Sequence, residues 1–415
     1  MDLLQPIIKP YAWGSRHALA RLQGRDAPSD GPEAELWMGA HPSGPAGLVR
    51  DGRGTTLRDV VAADPERELG PECAARFGGR LPFLLKVLAA EQPLSIQVHP
   101  DRERARTAFA AQRAAGGHGP YADDWPKPEL LCALTPFEVL AGFRPAAEAA
   151  DALDGLALAE LRPLVAVLRT GAANAPAEAL RTVLEWPYEG RAALVSAVVA
   201  ACADGARDGG PFAAAYDAVV RMDRHHPQDL GLVASLLMRH LVLEPGAALF
   251  MPAGGLHAYV SGLGVELLAN SDNVLRAGLT AKEVDVPELL RVTDPAVRVP
   301  EVRARTVPGP GLTEVFDSPA EEFALHRSEL AGSSGPLVPA SGPRIALCVA
   351  GSVVLRSADG STLRLARGES CFLSAADEGV RAEGDGTLFV ASPGPASTSP
   401  SEIDLLKDDN VVHLS

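Results

Sequence analysis

Four short segments hold residues whose types and spacing suit chemistry. In Leu94-Ser95-Ile96-Gln97-Val98-His99-Pro100, apolar and polar residues alternate strictly. In a strand, Leu94, Ile96 and Val98 face one side and Ser95, Gln97 and His99 the other. An amide oxygen and an imidazole nitrogen on neighbouring same-face positions can share one ion. The plainer alternative is a strand with its polar face in water. Upstream, Leu81-Pro82-Phe83-Leu84-Leu85-Lys86-Val87-Leu88 reads as a strand buried on both faces, with Lys86 in its middle. A buried ammonium needs a carboxylate, a phosphate or water beside it, unless it snorkels from the strand end. In Trp125-Pro126-Lys127-Pro128-Glu129 the two prolines force extended backbone, so Lys127 and Glu129 project to one side. Without a ligand, that pair is a weak surface ion pair. The fourth segment runs from Gly246 through Pro252 and Gly254 to His257, in the pattern G-x5-P-x-G-x2-H.

Gln97, His99, Glu129 and His257 together offer two imidazoles, a carboxylate and an amide oxygen. That set suits one borderline divalent ion per chain, zinc first by ligand type. The remaining histidines (17, 41, 118, 225, 226, 240, 326 and 413) share no spacing with it and read as packing or surface residues.

These side chains need strands to hold them. The G-x5-P-x-G-x2-H pattern matches in full the second signature of cupin barrels, whose glycines make the turns and whose histidine reaches inward. A second stretch, Gly368-x5-Ser374-x-Ala376-x2-Gly379, has the same rhythm without the histidine, as expected of a second barrel with no ligand there. Residues 1–144 are rich in Gly, Pro and short apolar runs, which favours strands and loops. Residues 145–240 turn to Ala and Leu, with windows at 146–158 and 192–203 that read as short helices. Strand and turn character returns from Leu241, with a helical stretch at 286–291 and a Pro/Gly-rich linker at 307–311. Runs at 345–355 and 387–391 read as strands, with Asp359-Gly360 as a hairpin turn. The expected fold is mainly β with an α insertion. Two jelly-roll, cupin-type barrels carry it: a metal-bearing one from 1–144 and 241–311, and a metal-free one from 312–393. A helical insertion at 145–240 and a tail at 394–415 complete it.

Bulk properties narrow the function. Of the 415 residues 47% are hydrophobic, enough for a substantial core, and the formal net charge of −15 disfavours nucleic acid or anionic membrane as partners. Only five of the 38 basic residues are lysine: Lys9, Lys86, Lys127, Lys282 and Lys407. Five cysteines, odd in number and without a C-x-x-C pair, suit a reducing compartment. No basic-then-apolar leader pattern opens the chain, and its longest apolar stretch is too short to span a bilayer. The expectation is a cytoplasmic monomer. No Walker loop, G-x-G-x-x-G after a strand, G-x-S-x-G or H-E-x-x-H occurs.

The segments also resemble a known family, the type I mannose-6-phosphate isomerases (phosphomannose isomerases). The likeness runs through Lys9-Pro10-Tyr11-Ala12-Trp13-Gly14, Ala34-Glu35-Leu36-Trp37-Met38-Gly39-Ala40-His41-Pro42, residues 81–100, Lys127-Pro128-Glu129 and residues 246–282. Its most specific string is Glu266-Leu267-Leu268-Ala269-Asn270-Ser271-Asp272-Asn273-Val274-Leu275-Arg276-Ala277-Gly278. The resemblance implies zinc on Gln97, His99, Glu129 and His257, a catalytic role for Arg276, and a sugar-phosphate substrate. One position departs: relatives often have N-H-K-P-E, where this chain has Trp125-Pro126 before Lys127. Proton transfer then falls to Lys127, Glu266 or Asp272, with no choice among them. Arg276 could stabilise developing charge or contact phosphate. Lys86, Ser95 and Lys282 are candidates for the phosphate, and Trp13 for substrate contact. Two other classes fit a cupin barrel, an iron oxygenase and a non-catalytic sugar-phosphate sensor.

Overall fold

The computed structural model describes residues 1–396, so positions 397–415 of the expected tail lie outside it. Its architecture is mainly β with a helical insertion: an eleven-stranded sheet, an eight-stranded sheet, a two-stranded hairpin and a block of helices. No helix among the described residues is long and apolar enough to cross a membrane.

One strand organises the first barrel. His257–Ala269 pairs through its first residues with Phe137–Phe143 and Gln97, then through its later ones with Phe83–Ala90 and Glu129–Ala133. The switch falls at a register shift between Tyr259 and Ser261, followed by Gly262 at φ 137°. A Cβ there would stand 2.6 Å from the Phe137 ring, so only glycine lets the strand turn the corner.

Alternation then sorts side chains between compartments. Along Phe83–Ala90 every residue is buried. Phe83, Leu85, Val87 and Ala89 join a core shared with the second sheet (Phe316, Ile345, Phe372, Phe389), while Leu84, Lys86, Leu88 and Ala90 point the other way. This two-sided burial is why the strand reads as a continuous apolar run. In Ile96–Val98 the outer residues Ile96 and Val98 pack with Leu153, Leu180 and Val195 of the helices, which leaves Gln97 on the opposite face. Each such fully buried aliphatic contributes about 1.5–3 kcal/mol.

The second sheet builds the C-terminal barrel. Its interior is filled by Leu330, Ala346, Cys348, Val353, Leu365 and Leu388, apolar where the first barrel holds its polar cluster. Gly246 and Gly368 both take positive φ, 91° and 84°, and each leads within two residues into a strand, Ala248–Met251 and Ser370–Leu373. The rhythm noted in the sequence is thus shared by the two barrels. The sheets do not divide where the sequence changes character, however. Asp2–Leu3 pairs with Ser370–Leu373, and Ala304–Val307 pairs with Leu312–Phe316, so both short strands belong to the C-terminal sheet.

Residues 1–144 hold more helix than expected. Leu57–Ala63, Pro65–Leu69, Pro71–Phe77 and Arg102–Ala114 are all helical. Prolines 65 and 71 act as helix starters rather than breakers, at the first turn where no N–H is missed. Arg102–Ala114 buries only Ala105, so it has no apolar stripe to read; Asp101 caps it, accepting from Arg104 N at 2.6 Å.

A carboxylate fastens the helical insertion to the barrel. Glu138 of Phe137–Phe143 accepts from Arg221 of helix Ala213–Asp223 at 2.8 and 2.5 Å, and lies 2.6 Å from His240. Burial opposes its ionisation, but His240 and Arg221 override that and hold the carboxyl down at about 2. The folded state therefore favours the ionised form, so this stabilisation is present above the ordinary carboxylate range and is lost as pH falls toward about 2. Glu138→Gln is expected to lower unfolding stability by about 1.5–3 kcal/mol at neutral pH. Denaturant titrations at pH 7 and near pH 3 check this, with the gap between parent and variant narrowing at the lower pH.

Candidate active site

The barrel brings three of the four expected ligands into one buried group. His99, Glu129 and His257 offer ligand atoms that all lie within 4.8 Å of one another. His99 Nε2 is 3.2 Å from Glu129 Oε1, and His257 Nε2 is 3.3 Å from Glu129 Oε2. The outer nitrogens are fixed by carbonyls: His99 Nδ1 donates to Asn273 O at 2.7 Å and His257 Nδ1 to Gly255 O at 3.0 Å. Carbonyls only accept, so each proton sits on Nδ1 and each Nε2 keeps its lone pair for the interior. Both Nε2 atoms are buried and without a hydrogen-bond partner among the described residues. Two orphaned lone pairs aimed at one carboxylate fit a divalent cation.

The fourth expected ligand is placed by register. Gln97 stands opposite His257 on one side and Arg276 of Leu275–Gly278 on the other. Directly opposed residues share a face, so the three form one row across the inner wall. Electrostatics suits a cation as well. Burial opposes ionisation of Glu129, yet Lys127, His99 and His257 override it and hold the carboxyl well below its usual range. Burial, with Lys127, pushes His99 down to about 4, which keeps the imidazole neutral as a ligand must be. Lys127 Nζ sits 3.0 Å from Glu129 Oε1, the same-side projection expected from the flanking prolines.

A second polar cluster adjoins the first. Lys86 lies between Glu35 at 3.7 Å and Glu266 at 3.4 Å, all three buried. Burial opposes the Lys86 charge, but Glu35 and Glu266 overcome it and keep the ammonium protonated. For Glu266, burial outweighs Lys86 and raises the carboxyl to about 7. Tyr259, two residues after His257 and therefore on the same face, joins the clusters: its hydroxyl is 3.4 Å from Glu129 Oε2, and Glu266 adds to burial in raising it.

Nearer the surface, Lys9 Nζ lies 4.1 Å and Lys86 Nζ 5.0 Å from the Trp37 ring centroid. His41 packs edge-on against Trp37 and sets Nε2 3.5 Å from Asp272, whose side chain is half exposed. Trp13 stacks on Tyr11 at 5.8 Å and, like Leu94, packs against the core that holds Leu88, Val139 and Tyr259. Ser95 is half-buried just before its strand. Arg276 is half-buried and has no carboxylate partner among the described residues; burial lowers its pKa. Lys282 is exposed in the turn after Leu275–Gly278 and makes no side-chain contact with these clusters among the described residues.

Glu35, His41, Tyr259 and Asn273 are site residues that the sequence reading did not single out. Period-two spacing offers a signal for two of them: Tyr259 follows His257 by two, and Glu35 precedes Trp37 by two. His41, read as packing or surface, is buried but belongs to the site through Asp272. No local pattern marks it.

Comparison with known proteins agrees with this geometry. A family model described as phosphomannose isomerase type I, catalytic domain, matches residues 1–146, and one described as mannose-6-phosphate isomerase, cupin domain, matches residues 313–393. The mannose-6-phosphate isomerase of Escherichia coli is 37% identical over 94% of this chain and 98% of its own length. That of Schizosaccharomyces pombe is 32% identical over 89% and 93%. A crystal structure of a mannose 6-phosphate isomerase bound with zinc and yttrium aligns with TM-score 0.85 at 34% identity, covering 95% of this chain and all of that one. With the ligand cluster, the barrel pair and full-length likeness in agreement, the chain belongs to the type I mannose-6-phosphate isomerase family.

Proposed function

We propose that the chain is a zinc-dependent aldose–ketose isomerase that interconverts mannose 6-phosphate and fructose 6-phosphate through an enediol-like intermediate. The observation that carries this is the pair of Nε2 atoms converging on Glu129, orphaned among the described residues, beside an Arg276 with no carboxylate partner there and a carboxyl, Glu266, poised near neutral pH. His99, Glu129 and His257 would hold the ion, with Gln97 beside them in the same row. Bound zinc supplies Lewis acidity toward the sugar oxygens.

The chain's own groups divide the remaining work. Arg276, with no carboxylate to satisfy it among the described residues, is the cation available to substrate, through developing oxyanion charge or phosphate. Lys86 is matched by two carboxylates, which disfavours a phosphate role and suits holding Glu266 in place. Glu266, raised to about 7, can give and take a proton at neutral pH, and Tyr259 can pass one between Glu266 and the metal side. Lys127, beside a ligand carboxylate, suits proton exchange with sugar oxygens. Asp272 stands at the exposed rim. Trp13 and Ser95 suit contact with the sugar, and Lys282 with its phosphate.

Two imidazoles and a carboxylate are also the donor set of iron oxygenases. The cations around this site and membership of an isomerase family favour the sugar phosphate instead. A sensor without turnover would have little use for a buried carboxyl held near neutrality. We take 1–144 with 241–311 as the catalytic barrel, apart from Asp2–Leu3 and Ala304–Val307, which pair into the C-terminal sheet, 145–240 as the insertion, and 312–393 as a metal-free packing partner. Five free, buried cysteines support a cytoplasmic setting, and scattered exposed apolar side chains such as Tyr188 and Val49 support a monomer.

Purified protein is expected to carry about one zinc per chain and to form fructose 6-phosphate from mannose 6-phosphate. Turnover should disappear on chelation and return with zinc. Metal-loaded protein without turnover would defeat the enzyme reading. His257→Ala should lose most of its metal after dialysis, read by elemental analysis, and full retention would remove His257 from the ligand set. Arg276→Ala is expected to cut kcat by roughly 100- to 1000-fold if the guanidinium meets developing charge. A rise in KM with kcat intact would make it a phosphate contact.

A further inference from the structure

Asn273 lies one per cent exposed, and every polar atom it has is engaged. Its amide Nδ2 donates to Trp125 O at 2.8 Å and Asp123 O at 2.9 Å, with Asp123 Oδ1 at 3.2 Å. Its Oδ1 accepts from Ala122 N at 2.8 Å and Asp123 N at 3.3 Å. Three acceptors on one side and two N–H donors on the other fix which way the amide points. Its backbone carbonyl is the group that His99 Nδ1 meets at 2.7 Å. One residue thus holds both the metal-facing imidazole and the segment that runs, through Pro126 and Pro128, to Lys127 and Glu129. Neighbouring contacts tighten the joint: Ser271 Oγ donates to Asp123 Oδ1 at 2.7 Å, and Asp272 N to Asp123 Oδ2 at 2.9 Å.

We propose that Asn273 is a positioning residue for the metal site, acting mainly through His99. The side-chain amide, clamped to residues 122–125, fixes where the Asn273 carbonyl stands. The carbonyl in turn fixes the His99 tautomer and the direction of its Nε2 lone pair. The inference rests on the metal-site reading above but not on the reaction. It also gives the Asn of the Ser271-Asp272-Asn273 string a physical task apart from substrate contact.

Asn273→Asp keeps size and the acceptor side while turning the donor side into an oxygen facing three oxygens. Zinc affinity, read on the full chain without substrate by competition with a chromophoric chelator, should fall about 10- to 100-fold. A general loosening of the fold would lower affinity equally in any background, whereas action through His99 would not. In a His99→Ala background the same substitution should therefore cost at least roughly threefold less than in the parent. Equal losses in both backgrounds, or none in the parent, would overturn the proposal. If Asn273→Asp does not fold, Ser271→Ala, which loosens the same joint at Asp123, carries the two-background comparison at smaller amplitude. Because no turnover is measured, failure of the isomerase reading would leave this result standing, and the reverse also holds.

Discussion

Everything in the site depends on keeping one carboxylate ionised inside a barrel. Glu129 is two per cent exposed, and burying a charge there is costly unless opposite charge and hydrogen-bond donors surround it. Lys127 at 3.0 Å and two imidazoles at about that distance supply the surroundings. Each then needs its own support. Lys127 is delivered by rigid proline-flanked backbone, His99 by the Asn273 carbonyl, and His257 by the turn at Gly254 and Gly255. The strands around them are positioned by apolar contacts on their outer faces, so the charge in the middle is a consequence of packing at the rim.

Strand alternation couples that chemistry to the rest of the molecule. The face of Ile96–Val98 that does not carry Gln97 is buried by the helical insertion, and the face of Phe83–Ala90 that does not carry Lys86 is buried by the C-terminal sheet. A slip of one residue in either strand would exchange ligand or ion-pair positions for aliphatic ones. The insertion and the C-terminal barrel therefore act on the site by fixing register. An interior filled with Leu330, Cys348 and Val353 is what a barrel with that duty requires.

How much of this could be read from the sequence follows the range of the interactions. Gln97 and His99, Lys127 and Glu129, and the turn pattern from Gly246 to His257 are set by local period and by proline and glycine geometry, and the structure places them as that geometry implies. Lys86 was recognisable as a buried cation needing a partner, but its partners come from strands 51 residues upstream and 180 downstream, so pattern alone could not name both. His41 and Asn273 lack any periodic mark, because what they touch lies far along the chain. The helices of the first 144 residues escaped notice for a different reason: Arg102–Ala114 buries a single alanine, and prolines that look like breakers sit at first turns.

The scarcity of lysine takes on a more definite meaning once the pairs are known. Lys86 and Lys127 both lie in the site, and Lys9 stands at its edge over Trp37. The first two are already matched by Glu35, Glu266 and Glu129, so they shape the acidity of the site more than its net charge. In a chain of net charge −15 an anionic substrate still needs a local excess of positive charge. With Lys86 and Lys127 matched, that excess would come from Arg276, from Lys282 and from an ion held between the imidazoles. His257 and Arg276 stand on either side of Gln97, in a single row across the sheet. A substrate oxygen that reaches Arg276 would therefore lie close to an ion held by His257, so the geometry of three adjacent strands sets where charge can develop.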